Sequence, residues 1–327
     1  MINTDILVDN VNIYENYGVF VTEKGYRELV NFPASKKIEI NNWQEEDGIE
    51  VDEKKTVFDG RELSITFGCH NDFKSTWGFI EFLYDNAYHI FDFVAISRKI
   101  KLRLVSQPNI KDFGKINSFS LLFINDLPIK ETTGIPDTPV TEIPYISNVP
   151  TTGYKLDNYD LSTYGISVLE GTKSDFLKMP NVKKNLTIKT ENSDGVNYDN
   201  LTYHRYEQKE VKLNCIMRAN SNKEFWVQYD AFYNHQLRNN NTNIKTLEVP
   251  FIDKLFQCYY KNCSTNDFII TDSKIWFRFV LTFVIIEFRL KTENILLSSE
   301  DDDIIELEIE NTEECYYFEI KRIKENN

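Results

Sequence analysis

The chain has 327 residues and carries 37 Lys and Arg against 51 Asp and Glu, a formal net charge of −14. That balance excludes a general nucleic-acid binder, whose phosphate contacts need clustered positive charge. A hydrophobic share of 41% with 14% aromatic residues excludes disorder as the default, because so much apolar surface offsets the entropy of ordering the chain.

At roughly 100–200 residues per domain the length predicts two domains. The opening residues, Met1 to Asp9, carry neither a basic leader nor a following apolar stretch, so export through a signal peptide is not expected. Residues 1–127 read as a first β domain, in which Leu63/Ile65/Phe67, Leu102/Leu104 and Phe119/Leu121/Phe123 alternate at period 2, as strands with one buried face do. Within it, Lys74–His89 changes period: Trp77, Ile80, Tyr84 and Ala87 recur at spacings of three and four, which predicts a helix packing its aromatic stripe on its own sheet. Residues 128–153 hold five of the nine prolines, Pro128, Pro136, Pro139, Pro144 and Pro150, and read as an extended Pro/Thr-rich linker between domains.

Residues 154–288 read as a second β domain, with alternation at Val211/Leu213/Cys215 and Phe277/Phe279/Leu281/Phe283. Its helix carries Trp226, Tyr229 and Tyr233 and starts at Ser221, where Glu224 three residues on completes a capping box. The longest apolar run, Phe279 to Ile286, is far short of the roughly 20 residues that cross a bilayer. Residues 289–327 read as two strands, Ile304–Ile309 and Tyr316–Ile323, a hairpin-like β extension.

The two domains read as a tandem repeat. Aligned without a gap at an offset of 147, Asn16–Asp52 and Thr163–Asp199 share ten of 37 positions, where ordinary residue frequencies give roughly two. The shared residues include Tyr17-Gly18 with Tyr164-Gly165, Pro33 with Pro180, Lys36-Lys37 with Lys183-Lys184 and Asp47-Gly48 with Asp194-Gly195. Further on, Leu63, Ile65 and Phe67 match Val211, Leu213 and Cys215 at 148, Trp77 and Tyr84 match Trp226 and Tyr233 at 149, and Phe119 and Phe123 match Phe279 and Phe283 at 160. Each Asp-Gly is expected at a hairpin or loop tip, where Gly accepts positive φ.

No catalytic, cofactor-binding or metal-ligating residue is assigned, and the chain is expected not to be an enzyme. His70, His89, His204 and His235 are scattered, and adjacent Cys69-His70 would point to opposite faces of a strand. The five cysteines, Cys69, Cys215, Cys258, Cys263 and Cys315, form no CxxC pair and fit a reducing compartment. Cys258 and Cys263, five apart across an expected polar turn, admit a disulfide or half a zinc site, with free thiols preferred. The run Glu300 to Asp303 lacks the alternating ligands and central Gly of a calcium loop. Neither a GxSxG elbow nor a GxxxxGK[ST] phosphate loop occurs.

The run Ile13 to Asp52, with Tyr17-Gly18, Pro33, Lys36-Lys37 and Trp43 through Asp52, followed by Arg61 to Phe67, resembles tail proteins of phages and prophages of Bacteroidetes. The second domain is similar, especially Tyr164-Gly165, Asp175 to Lys178, Tyr229 to Phe232 and Phe277 to Phe283. The resemblance implies a mainly β (α+β) fold of two tandem tail-tube-like β-sandwiches, each flanked by one α-helix. It also implies a structural role in the tail tip or baseplate, like that of distal tail proteins, in a virion assembled in the host cytoplasm without a cofactor. Expected partners are tail tube, hub and receptor-binding proteins and further copies of the chain in a closed ring. Six copies are favoured over three, because a linker of up to about 3.1 Å per residue lets the second domain sit apart from the first. The alternative from another class is a module that binds host-surface glycans through exposed aromatics.

Overall fold

The computed structural model describes residues 6–22, 25, 27–70, 73–113, 116–128, 149–185, 187–192, 194–198, 204–238, 242–271 and 274–288, and the backbone of 295–298, 304–312 and 315–322. Most of the expected linker and the acidic run Glu300 to Asp303 lie outside these residues. The fold is mainly β. The chain up to Phe288 is one compact unit that holds two seven-stranded antiparallel sheets, and Arg289–Asn327 is a second unit.

The N-terminal sheet is built from β1 (Ile6–Val8), β2 (Val11–Asn12), β3 (Val19–Val21), β6 (Arg61–Cys69), β7 (His89–Phe93), β8 (Arg98–Asp112) and β9 (Asn117–Asn125). A separate two-stranded arm, β4 (Ile40–Asn41) with β5 (Glu50–Val51), leaves it between β3 and β6. Strand order is β2-β1-β7-β8-β9-β6-β3. Residues 98–102 of β8 pair with β7 and residues 103–112 with β9, with register shifts from Leu104 onward. A bulge bends its strand and increases its twist, so β8 curls as it passes from β7 to β9. Helices α1 (Ile13–Tyr17) and α2 (Phe73–Tyr84) complete this half.

The C-terminal sheet uses β10 (Lys155–Leu156), β11 (Tyr159–Asp160), β12 (Ile166–Val168), β15 (Lys209–Ala219), β16 (Ile244–Val249), β17 (Ile252–Ile270) and β18 (Ile275–Ile285), with its own arm of β13 (Thr187–Ile188) and β14 (Asn197–Tyr198). Its order, β11-β10-β16-β17-β18-β15-β12, repeats that of the first sheet strand for strand. Residues aligned in sequence hold equivalent places in the ladders. Val21 faces Phe67 as Val168 faces Cys215, and Phe67 faces Phe119 as Cys215 faces Phe279. Helix α3 (Thr172–Leu177) precedes the arm, and α4 (Asn222–Ala231) continues into a wider turn over Phe232–Leu237. Ser221 Oγ accepts the Glu224 amide at 3.2 Å, while the Glu224 carboxylate takes the amide of Asn220, one residue before the cap, at 2.8 Å.

Three local expectations are corrected. In α2 the buried residues are Thr76, Phe79, Ile80 and Leu83, so Ile80 of the predicted stripe packs as expected, while Trp77 is 59% exposed and Tyr84 65%. In α4 the equivalent buried positions are Phe225, Gln228, Tyr229 and Phe232, so it is the outer members of the repeated stripe, Trp77/Trp226 and Tyr84/Tyr233, whose surroundings differ between the halves. Cys258 and Cys263 are free, as preferred, but no polar turn separates them: both lie inside the continuous strand β17, which absorbs its polar residues in bulges. The second unit has three antiparallel strands, β19 (Ile295–Ser298), β20 (Ile304–Thr312) and β21 (Cys315–Arg322), one more than a hairpin.

Trp226→Ala is expected to cost about 3–5 kcal/mol as a buried aromatic truncation, and Trp77→Ala to stay within about 0.5 kcal/mol; urea denaturation of the two variants checks this contrast.

The wide turn after α4 is expected to make the C-terminal half sensitive to acid. Gln236 Nε2 donates to the Tyr164 hydroxyl at 2.8 Å, so that hydroxyl gives its own proton to His235 Nδ1, 2.5 Å away. Burial, aided by Lys245, holds the His235 pKa below its ordinary 6.5. The unfolded chain therefore binds more protons in the window below 6.5, and stability is lost as pH falls through it. Thermal melts between pH 7.5 and 5 are expected to show a decline that His235→Asn reduces.

Candidate functional site: the joint between the sheets

The most elaborate site among the described residues is the joint that holds the two sheets together. It has three parts. The first follows the 3-10 turn Arg27–Val30, where the chain crosses from the N-terminal sheet onto the C-terminal one. Phe32 inserts between α4 and the strands behind it, stacked on Tyr229 at 4.4 Å and meeting Phe232 at 5.4 Å and Phe279 at 5.8 Å. Asn31 fixes the depth of insertion, its carbonyl accepting the Tyr229 hydroxyl at 3.2 Å and its side chain the Thr265 hydroxyl at 2.5 Å. Ser35 donates its amide to the Lys261 carbonyl at 3.0 Å and its hydroxyl to the Tyr260 carbonyl at 2.6 Å. Lys261 stands where β17 bulges, and a bulged residue leaves the ladder, so its carbonyl can take an outside donor. Burying a Phe completely stabilises by roughly 1.5–3 kcal/mol.

The second part is polar. Arg98, at the start of β8, forks onto the Asp230 carboxylate of α4 at 2.9 and 3.1 Å and lies over the Trp226 ring at 4.2 Å. The Trp226 indole donates to the Ile96 carbonyl at 2.5 Å, and Asn222 to that of Ala95 at 2.8 Å. Burial raises the Asp230 pKa, with Arg98 opposing it. Nearby Arg61 gives its guanidinium to the carbonyls of Leu29 and Asn31, and burial lowers its pKa. Burial pushes the Tyr229 phenol well up, which keeps the proton that it donates to Asn31.

The third part is the β4–β5 arm. The Gly48 amide donates to the Tyr206 carbonyl at 2.7 Å, and Asp47 accepts the Tyr206 amide at 2.7 Å. Ile49 donates to the Ile286 carbonyl at 3.2 Å, and Lys183 to the Trp43 carbonyl at 2.5 Å. Gly48 has φ +71°, and a Cβ there would stand 2.1 Å from the Ile286 carbonyl oxygen, so both conformation and space call for glycine.

His89 is bound to Asp9 and the Leu83 carbonyl, His70 packs on Phe20, His204 touches Tyr198, and His235 lies under Tyr164. The structure thus leaves the four histidines apart. Burial raises the thiols of Cys215, Cys258 and Cys263 far from reactivity. No group of three or more metal-ligating side chains occurs among the described residues. Phe32, Asn31, Arg98 and Asp230 escaped the sequence reading, although α4 carries a signal for them. It has apolar residues on two flanks, at 225/232 and 226/229/233, and such a helix is covered on both sides.

No protein-family model matches the chain, and no curated protein matches it. Among solved structures it is similar to the SPP1 Dit (gp 19.1) protein, described as a paradigm of the hub adsorption apparatus in Gram-positive-infecting phages. The likeness has 10% identity and a TM-score of 0.29, and covers 86% of this chain and 97% of that one. At that score the two backbones diverge widely.

Proposed function

We propose that the chain is a non-enzymatic structural component of a phage tail tip, of the distal tail protein kind, that assembles into a ring joining the tail tube to hub or receptor-binding proteins. The observation that carries this reading is the pair of topologically identical sheets locked side by side by Phe32 and the Arg98–Asp230 pair. Two sheets of the same topology held together in one chain are what it needs to supply two consecutive segments of a closed ring. The sequence resemblance to tail proteins supports the same reading and suggests a Bacteroidetes phage. Because the second sheet is held against the first, the reason for favouring six copies is gone. Three chains, giving six sheets, now come first, and six chains second.

Mass spectrometry of purified particles tests the reading. The chain is expected in intact virions at a few copies per tail, and its absence from infectious particles would overturn the proposal. Glycan-array binding by a chain absent from virions would instead favour the surface-binding module.

A further inference from the structure

A basic residue clamps the same stretch of chain in both halves of the repeat, and in one half it carries a donor that the clamp does not use. Lys209, at the start of β15, gives its ammonium to the carbonyls of Phe176 and Lys178. An offset of 148 places Arg61 at the same position of β6, and 147 places Leu29 and Asn31 where Phe176 and Lys178 stand. Arg61 Nη1 donates to those two carbonyls, at 3.1 and 2.8 Å. A lysine is thus enough for the clamp. The guanidinium adds N–H groups that an ammonium cannot place, and one of them, Nε, is buried without a hydrogen-bond partner. What covers the two cations differs as well. Lys209 lies against the Phe288 ring at 3.7 Å, whereas Arg61 lines a cavity of about 20 Å³ in the joint, together with Arg98, Trp226, Tyr229 and Tyr233.

A second donor on this cavity is also unpartnered, the hydroxyl of the buried Tyr233. Burial pushes that phenol well up, so it keeps its proton. Charge is out of balance in the same place. Asp230 takes both prongs of Arg98, while the groups that act on Arg61 are the phenols of Tyr229 and Tyr233 and the like charge of Arg98, with no carboxylate among them. Two guanidiniums therefore share one carboxylate, and a desolvated charge without a counter-ion is costly. The cavity has room for one particle of about the size of a water, which excludes sulfate, phosphate and organic acids. A water would bring two protons that need acceptors, and the carbonyls of Leu29 and Asn31 are already taken by Arg61 and Tyr229. A monovalent anion brings no protons and supplies the missing charge.

We propose that the joint binds one small inorganic anion of the halide class, such as chloride, between the Nε–H of Arg61 and the hydroxyl of Tyr233. Arg61 opens a strand of the N-terminal sheet and Tyr233 lies in the wide turn that continues α4, so the ion is shared by the two halves and ties them together. Arg61 is only partly buried, which leaves an ion a way in from solvent. The stability of the joint then depends on the anion in solution, and the site stands whether or not the chain belongs to a phage tail.

The test uses the full chain at constant ionic strength, with sodium gluconate, whose anion is too large for the cavity, replaced stepwise by sodium chloride. The thermal midpoint is expected to rise with the logarithm of chloride concentration, by about 2–4 °C on reaching about 150 mM, as it does when a ligand binds the folded state alone. Two variants carry the control. Arg61→Lys keeps the clamp in the form that Lys209 already uses and removes the Nε donor, and Tyr233→Phe keeps the ring and removes the hydroxyl. Each is expected to lose most of the chloride-dependent rise. Because the rise is read within each variant, a general loss of stability does not imitate it, and a general salt effect is common to all three proteins. In crystals grown with sodium bromide, an anomalous scatterer is expected in contact with both Arg61 Nε and the Tyr233 hydroxyl. A midpoint indifferent to chloride, an undiminished rise in either variant, or a water in place of bromide would each overturn the proposal.

Discussion

Phe32→Ala is expected to lower the stability of the whole 1–288 unit by about 3–5 kcal/mol, the usual cost of removing a buried aromatic and leaving its cavity. The ring sits among Tyr229, Phe232, Phe277 and Phe279, so the void opens in the C-terminal half although the substitution is in the N-terminal one. Denaturant unfolding followed by tryptophan fluorescence is expected to show the loss at Trp226, which packs beside Tyr229 at 5.2 Å. Met179→Ala, the same position of the repeat, is expected to change monomer stability by less than about 0.5 kcal/mol, as exposed substitutions do. Equal costs for the two would mean that Phe32 is not the plug described.

Arg98→Ala is expected to cost a similar amount, about 3–5 kcal/mol, because it strands the Asp230 carboxylate in a site that excludes water. Asp230→Ala is expected to do the same to the guanidinium. The double variant Arg98→Met/Asp230→Leu is expected to recover most of the loss, since replacing both charges removes the desolvation penalty along with the attraction. A double variant as unstable as the sum of the singles would show that the two residues act independently, against their bidentate geometry.

Much of the architecture was legible before the structure. Alternation at Leu63/Ile65/Phe67 and Phe119/Leu121/Phe123 located the central strands β6 and β9, and the offsets of 147, 148 and 160 matched residues that hold equivalent ladder positions. Periodicity reports that a side is buried without naming what buries it, which is why spacing alone places Trp77 and Trp226 on their own sheets. Their difference in fate comes from Phe32 and Arg98, more than 120 residues before Trp226 and invisible to any local window. The stretch between Cys258 and Cys263 reads as a polar turn although it lies inside β17, because bulges that admit polar residues into a strand look like turns in sequence. The short apolar run Ile295 to Leu297 has too few residues to show a period, and strand β19 went unread for that reason.

Phe32 and Phe232 touch across 200 residues of chain. Closing so long a loop must precede the contact that rewards it, and native contacts of this range slow folding. During synthesis the inserting segment emerges long before its groove exists, so the N-terminal sheet has to fold with Phe32 unsheltered. A fragment starting near residue 149 has the opposite defect, an aromatic groove with no plug. Each half is thus an incomplete folding unit with an adhesive surface, and the order in which the surfaces meet decides between the intended neighbour and aggregation.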